Sequence, residues 1–354
     1  MRLLIMELGN KIKTLRLKAG LTQEMLAEEL GVSFQTISKW ENSICAPDIN
    51  MLPKLSVFFG VTIDELFDLT VEQRLHRIEK MIEMGQEFSQ NTFTETVEFL
   101  LNQLEVNADR GKINSLLAHV YHHRMLSDSV KVSKYARKAM ELKPDVKETQ
   151  WLLCKAEGAN CWDWNVANHH EVISFYKTLV ENNPSIGRNY LYLMDNLLAD
   201  HRTEEVKHYL EIYKSLQDHN DVHVYIYEAE IALGEYNFEY AQQKYKELEE
   251  HMPQSGIAMF EIANFYARQC KYDKAITYYE KSFVLDLEDE NRPVYTDALD
   301  GIATIYEIQE EYEQAIKTYD RILKLLEEEW NYTEGEPVQM RLEKKQRLMN
   351  KLIK

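Results

Sequence analysis

Apolar side chains recur every three or four residues through most of the chain, and the polar stretches between them are short. That period belongs to helices, so an all-α protein is expected. Leu8, Ile12, Leu15 and Leu17 mark a first helix that stops at Ala19 and Gly20, where glycine accepts a left-handed backbone. Thr22 is placed to cap a second helix from Gln23 to Leu30, with Met25, Leu26 and Leu30 inward. Gly31 closes that helix, and Ser33 caps a third from Phe34 to about Glu41. A fourth follows Pro47 and Asp48 with Met51, Leu52, Leu55 and Phe58 on its apolar side. Thr62 and Glu65 form the ends of a capping box that opens a fifth, with Leu66 and Phe67 packed back.

Beyond residue 68 a longer period emerges. Small or branched residues at 132, 172, 206, 241, 275 and 315 are separated by 40, 34, 35, 34 and 40 positions. Each begins a short signature, such as Val206-x3-Leu210, Ala241-x3-Tyr245, Val172-x3-Tyr176 and Val132-x3-Ala136. The two gaps of 40 place insertions near Gly158–Asn168 and Asp286–Tyr295, and a degenerate repeat is expected at Thr92–Asn107. Val71–Met84, with Leu75, Ile78 and Ile82 on one face, reads as a connecting helix. Val338–Ile353, with Val338, Leu342, Met349 and Leu352 apolar and Arg341, Lys344, Lys345, Arg347 and Lys351 basic, reads as a closing helix.

The run LTQEMLAEELGVSFQTISKWEN at 21–42, with LPKL at 52–55 and FGVTIDEL at 59–66, resembles the phage-repressor, Xre-type helix-turn-helix DNA-binding domain. The resemblance spans about residues 6–68. It departs from the common pattern at Ser43-Ile44-Cys45-Ala46, where many relatives carry glycine and then basic residues. It implies that the third helix enters the major groove and that Ser33, Phe34, Gln35, Thr36, Ser38 and Lys39 read or position DNA. Gln35 has the geometry for an adenine edge, Lys39 for guanine or phosphate, and Phe34 for a thymine methyl. Gln23 sits at the N-terminus of helix two, where free N–H groups suit a phosphate. Ile37 and Trp40 are expected to pack inward.

Residues 262–285 and the copy from Ile302 through Tyr306, Tyr312, Ala315 and Tyr319 to Ile322 resemble tetratricopeptide repeats, whose length is 34 residues. Small Ala263 and Ala275 let two helices approach while Tyr266, Tyr272 and Tyr279 fill between them. The expected architecture is therefore all-α: a five-helix helix-turn-helix domain at 1–68, a connecting helix or linker at 69–90, a tetratricopeptide-like α-solenoid of six to seven repeats at 91–335, and a capping helix at 336–354. In such arrays the first helix of each repeat lines a groove, and peptide receptors of this fold use Asn and Arg there. The resemblance thus implies Asn264 and Arg268 as ligand contacts, joined by Tyr192, Asp195, His119 and His122, with His123 beside them.

The 354 residues contain 41 Lys and Arg against 59 Asp and Glu, a net of −18. Residues 1–68 hold 7 basic and 9 acidic side chains, a net of −2, so the remaining −16 falls on the repeats. DNA binding must then be local, and Lys11, Lys13, Arg16 and Lys18 form the candidate basic patch. So little positive charge suits two copies on a dyad operator, hence a homodimer.

Four scattered cysteines and no apolar run of about 18 residues suit a reduced, cytoplasmic protein. Cys154, Cys161, His169 and His170 lack zinc-finger spacing, and His119-x2-His122-His123 lacks further ligands, so neither a metal nor a cofactor is implied. Trp162 and Trp164 stand in the first insertion as a packing or contact pair. No phosphate-binding glycine loop or nucleophile elbow is present, so an enzyme is not expected. The expectation is a transcriptional regulator that senses a short peptide. The combination resembles the peptide-quorum-sensing receptors of Gram-positive bacteria. The alternative is a regulator whose array is a protein-interaction scaffold without a small ligand.

Overall fold

In a computed structural model, residues 2–67, 70–85, 88–107, 109–159, 164–289 and 293–353 are described. Cys161, Trp162 and Asp163 lie outside them. The described residues are helical throughout, with short connections and no strand. They divide into two compact units, Met1–His123 and Arg124–Lys354.

The first unit opens with α1 (Arg2–Lys18), α2 (Gln23–Leu30) and α3 (Phe34–Glu41). A 3-10 turn at Ile49–Met51, capped by Asp48, leads into α4 (Leu52–Phe59), and α5 (Ile63–Leu66) follows. The boundaries are written in local chemistry. Thr22 Oγ1 accepts the Met25 N–H, and Gly31 ends α2 at φ +70°. Ser33 Oγ accepts the Thr36 N–H at the start of α3. Thr62 and Glu65 bond reciprocally as a capping box. Leu8, Ile12, Leu26, Ala27, Leu30, Ile37, Trp40, Leu55 and Leu66 make the core. Two expected core residues, Leu17 and Met25, are instead exposed. Ala27 takes the inward place one position past Leu26, because a 3.6-residue turn carries Met25 off the buried face.

Gly9 sets how closely α1 approaches α3. A Cβ at this position would lie 2.3 Å from the Trp40 carbonyl oxygen and 2.8 Å from Ser43 Oγ. Since the nearer obstacle is backbone, Gly9→Ala is expected to push α1 away and lower the stability of this domain by about 1–3 kcal/mol. Urea unfolding followed by the fluorescence of Trp40 reads the loss; an unchanged midpoint would refute the close packing.

Helices α6 (Val71–Glu83), α7 (Gln90–Val106) and α8 (Arg110–Leu142) come next. Leu75 and Ile78 of α6 share a core with Leu100 of α7 and Ile113 and Val120 of α8. The expected linker helix is thus part of a packed three-helix core. The expected repeat at Val132–Ala136 also differs, because α8 runs unbroken where a turn was anticipated. Residues 124–131 contain neither Gly nor Pro, and Asp128 pairs along the helix with Arg124 and Lys131, so nothing interrupts it.

The array continues with α9 (Lys147–Ala156), α10 (Trp164–Ala167), α11 (His170–Asn182), α12 (Gly187–Ala199) and α13 (Thr203–Lys214). Then follow α14 (Asp221–Gly234), α15 (Phe238–His251), α16 (Gly256–Arg268), α17 (Tyr272–Glu288), α18 (Asp297–Ile308), α19 (Tyr312–Trp330) and α20 (Glu336–Leu352). From α12 to α19 the helices pair in sequence, and Val206, Ala241, Ala275 and Ala315 are fully buried between them. Val132 and Val172 are not; both are exposed, and Ile173 takes the inward place in α11.

Each of these pairs turns on a residue with left-handed backbone: His201, Tyr236, Cys270 and Glu310, at φ 55°, 61°, 57° and 60°. Each sits five positions before an alanine or valine anchor. On α20, Val338 and Leu348 are buried, whereas the expected apolar contacts Leu342, Met349 and Leu352 are largely exposed. Arg341 reaches Asp300 at 2.8 Å and Lys351 stands 4.7 Å from the Tyr312 ring centre, so basic side chains join this helix to the last pair.

Candidate DNA-reading face and repeat groove

In the first unit the surface of α3 is held by one buried ion pair. Arg16 Nε meets Glu41 Oε1 at 2.6 Å and Arg16 Nη2 meets Oε2 at 2.8 Å. The third nitrogen, Nη1, donates to the Leu21 carbonyl at 2.7 Å. Gln23 Nε2 donates to Glu41 Oε2 at 2.7 Å. Helices α1, α2 and α3 are therefore tied at one carboxylate whose side chain is only 1% exposed. Burial alone would push the Glu41 carboxyl up, but the hydrogen bonds from Arg16 and Gln23 and the Arg16 charge hold it below the ordinary carboxylate range.

This clamp alters two expectations. Arg16 is buried and leaves the basic patch to Lys11, Lys13 and Lys18. The Gln23 side chain is turned to Glu41, so what it offers the solvent side is the backbone start of α2.

On α3, Ser33, Phe34, Gln35 and Lys39 are exposed and Thr36 and Ser38 half-buried, while Ile37 and Trp40 face the core. Gln35 and Lys39 are four residues apart and share one face. Ser33 Oγ is engaged with Thr36, both through its N–H and at 2.8 Å to its hydroxyl. Ser38 accepts from Asn42 Nδ2 through its carbonyl at 2.8 Å and its hydroxyl at 3.3 Å. The seven candidates thus split into an outward pair, Gln35 and Lys39, the exposed ring of Phe34, and polar groups already used to hold the helix.

In the second unit, α12, α14 and α16 line a groove of about 1020 Å³. Four of the six ligand candidates meet there: Tyr192, Asp195, Asn264 and Arg268. His119 and His122 do not; they are exposed on α8 within the first unit. Residues the sequence reading did not single out complete the lining, among them Arg188, His223, Tyr227, Glu230 and Glu261. Arg188 and Glu261 lie four and three positions before Tyr192 and Asn264, so the register of α12 and α16 was a usable signal for them, whereas α14 carried no named candidate.

Arg268 is not a free donor. Its Nη1 bonds Glu230 Oε2 at 2.9 Å and its Nη2 bonds Oε1. Asn264 is also engaged, accepting from Tyr279 Oη at 2.6 Å and donating to Glu261 at 3.2 Å. Tyr227 Oη donates to Asp195 at 2.6 Å. Asp195 opens onto the groove, yet the surrounding protein crowds it enough to push its carboxyl up, and nearby Glu230 adds to this. Burial likewise pushes up Glu261, with Glu230 and Asp195 contributing. His223 is held down by burial, which disfavours its cation.

The helix-turn-helix family matches residues 12–66, and the tetratricopeptide repeat family matches residues 254–328. Over 61 residues the chain is 51% identical to the HTH-type transcriptional activator BcrR of Enterococcus faecalis, covering 17% of this chain and 30% of BcrR. Over 58 residues it is 45% identical to an HTH-type transcriptional regulator of Methanocaldococcus jannaschii, covering 16% of this chain and 88% of that protein. The chain therefore spans less than a third of BcrR but most of the archaeal protein. Among solved structures, Bacillus thuringiensis PlcR in complex with the peptide PapR7 and DNA aligns over 93% of this chain and 100% of that one, at 14% identity and a TM-score of 0.26. No helix among the described residues is long and apolar enough to cross a membrane.

Proposed function

Because the chain belongs to the Xre-type helix-turn-helix transcriptional regulators and carries tetratricopeptide repeats behind that domain, we propose that it binds operator DNA as a homodimer and senses a short peptide in its repeat groove. The observation that carries the DNA half is the outward pair Gln35 and Lys39 on a helix anchored by Ile37, Trp40 and the Glu41 clamp. A recognition helix must be rigid to hold side chains at base edges, and a buried bidentate ion pair at its end supplies that rigidity. Ser33, Thr36 and the start of α2 near Gln23 then position the phosphate backbone, and Phe34 reaches a thymine methyl. Ser38 supports Asn42 at the end of the helix.

The sensing half rests on the groove, where Tyr192 and the carboxylates of Asp195 and Glu261 meet a cleft large enough for several peptide residues. A peptide bridging three successive first helices favours one packing of the repeats over another. In a dimer that population shift alters the spacing of the two DNA-binding heads. The near-neutral head and the −16 on the array make non-specific attraction to DNA weak, so affinity depends on both heads engaging.

Selection of binding sites from random duplexes with the full chain, followed by sedimentation of the complex, tests this. A two-fold palindrome occupied by two chains is expected, with half-sites separated by about one helical turn or a multiple of it. An unsymmetrical site bound by a single chain would overturn the dimer reading, and the enrichment of no sequence would overturn operator binding.

A further inference from the structure

The charges of the groove are distributed unevenly along one helix. Arg188, Leu191, Tyr192, Asp195 and Leu198 all line the cleft from α12, at the spacing of a single helical face. Arg188 and Asp195 are seven residues apart, two turns, which places them about 10 Å from one another along the axis. Arg188 is exposed and, among the described residues, has no carboxylate partner. The other arginine of the cleft, Arg268, is already bound by both oxygens of Glu230.

The opposite charge gathers two turns further on. Among the described residues Asp195 is bonded by the neutral Tyr227 Oη and Glu261 by the amide of Asn264. Among the described residues neither carboxylate is in an ion pair, His223 acting on Asp195 and Arg268 on Glu261 only at longer range, whereas Glu230 is paired directly with Arg268. A carboxylate drawn partly out of water is stabilised by a cation, and here, among the described residues, the chain puts one in direct contact with Glu230 but with neither Asp195 nor Glu261. Leu191, Ile226 and Ile257 provide apolar wall along the cleft.

We infer that this groove takes a peptide presenting a carboxylate to Arg188 and a lysine or arginine side chain to Asp195 and Glu261, with about two apolar residues between the two charges. An extended chain advances about 3.3 Å per residue, so a basic residue three or four places from a carboxylate spans the 10 Å interval. The planar fork of Arg188 matches a carboxylate through two parallel bonds, which a C-terminus offers without a side chain to order. This rests on the groove being the peptide site, and it reassigns the anion contact from Arg268 to Arg188.

The test is affinity selection on the immobilised full chain from pools of random synthetic pentapeptides, one pool with free C-termini and one amidated. Retained free-acid peptides are expected to be enriched about tenfold for lysine or arginine third or fourth from the C-terminus, the gain of one charge-assisted contact. Amidation should abolish that retention, unless Asp or Glu side chains appear at the corresponding place, which would assign the carboxylate to a side chain. Arg188→Ala should bind acid and amide alike, and Asp195→Asn with Glu261→Gln should lose the basic preference, while both variants keep the wild-type melting temperature. Peptides retained without either charge preference would overturn this inference and leave the groove as a peptide site. Retention of none would overturn both.

Discussion

Replacing Arg16 with alanine is expected to cost the DNA-binding domain about 3–5 kcal/mol, enough to leave much of it unfolded. The reason lies in what remains behind. Glu41 would keep its burial and lose both guanidinium bonds, with Gln23 its one remaining side-chain donor among the described residues. An unpaired buried carboxylate is far more costly than an absent pair, so Arg16→Met combined with Glu41→Leu should recover most of the loss. Urea unfolding with hydrogen exchange resolved over α1, α2 and α3 measures both. If the single variant stays within about 1 kcal/mol of the wild type, the clamp does not hold the domain.

The same pair sets an acid dependence. The Glu41 carboxyl is held below its ordinary range in the folded state. Its contribution is therefore complete above the unfolded value, about 4.3, and is lost as pH falls through the lower folded value. In the Arg16→Ala chain, protonation relieves the buried charge, so the deficit against wild type should shrink as the pH approaches about 4. A deficit constant across that window would place its origin elsewhere than in the Glu41 charge.

The second large effect concerns reading rather than folding. Gln35→Ala with Lys39→Ala is expected to reduce operator affinity by at least about a hundredfold, since each contact to a base edge contributes about 1–3 kcal/mol and a dimer loses two sets. Both side chains are exposed, so the melting temperature should not change. A gel-shift titration against the selected operator and a scrambled duplex separates the roles. Loss on the operator alone means base reading. Equal loss on both, with a shallower salt dependence, means that Lys39 holds phosphate. Retained operator affinity would remove this pair from the DNA-reading face.

Much of the first domain was legible because its signals are local. Caps such as Thr22, Ser33 and Thr62, and the stop at Gly31, act within four residues of themselves. The buried alanines of the later repeats were legible for a related reason: only a small side chain fits where two helices cross, so the 34-residue period survives in composition. What escaped notice had no such signature. The left-handed turns at His201, Tyr236, Cys270 and Glu310 carry no glycine, and their conformation is imposed by the helices they join. The unbroken α8 replaced an expected turn because repeat spacing implied a break that its residues do not encode.

The candidate sites divide the same way. The resemblance to tetratricopeptide repeats, carried in register along the chain, placed Tyr192, Asp195, Asn264 and Arg268 on groove-lining helices. It also placed His119 and His122 there, and for them register failed with the missing turn. Which charges are already spent is a different kind of fact. Arg16 and Arg268 are basic residues by composition, but each is neutralised by a carboxylate 25 or 38 positions away. Arg188 carries the same charge and stands open to the groove.

The sequence by itself determined the helices of the first domain and of the later repeats, the two families of repeat and motif, and the face of α3 turned to solvent, because periodicity and capping act over a few residues. Only the tertiary structure decided which charged groups are bound to one another and which remain for a ligand. Electrostatic pairing depends on distance in space, and no local pattern along the chain records it.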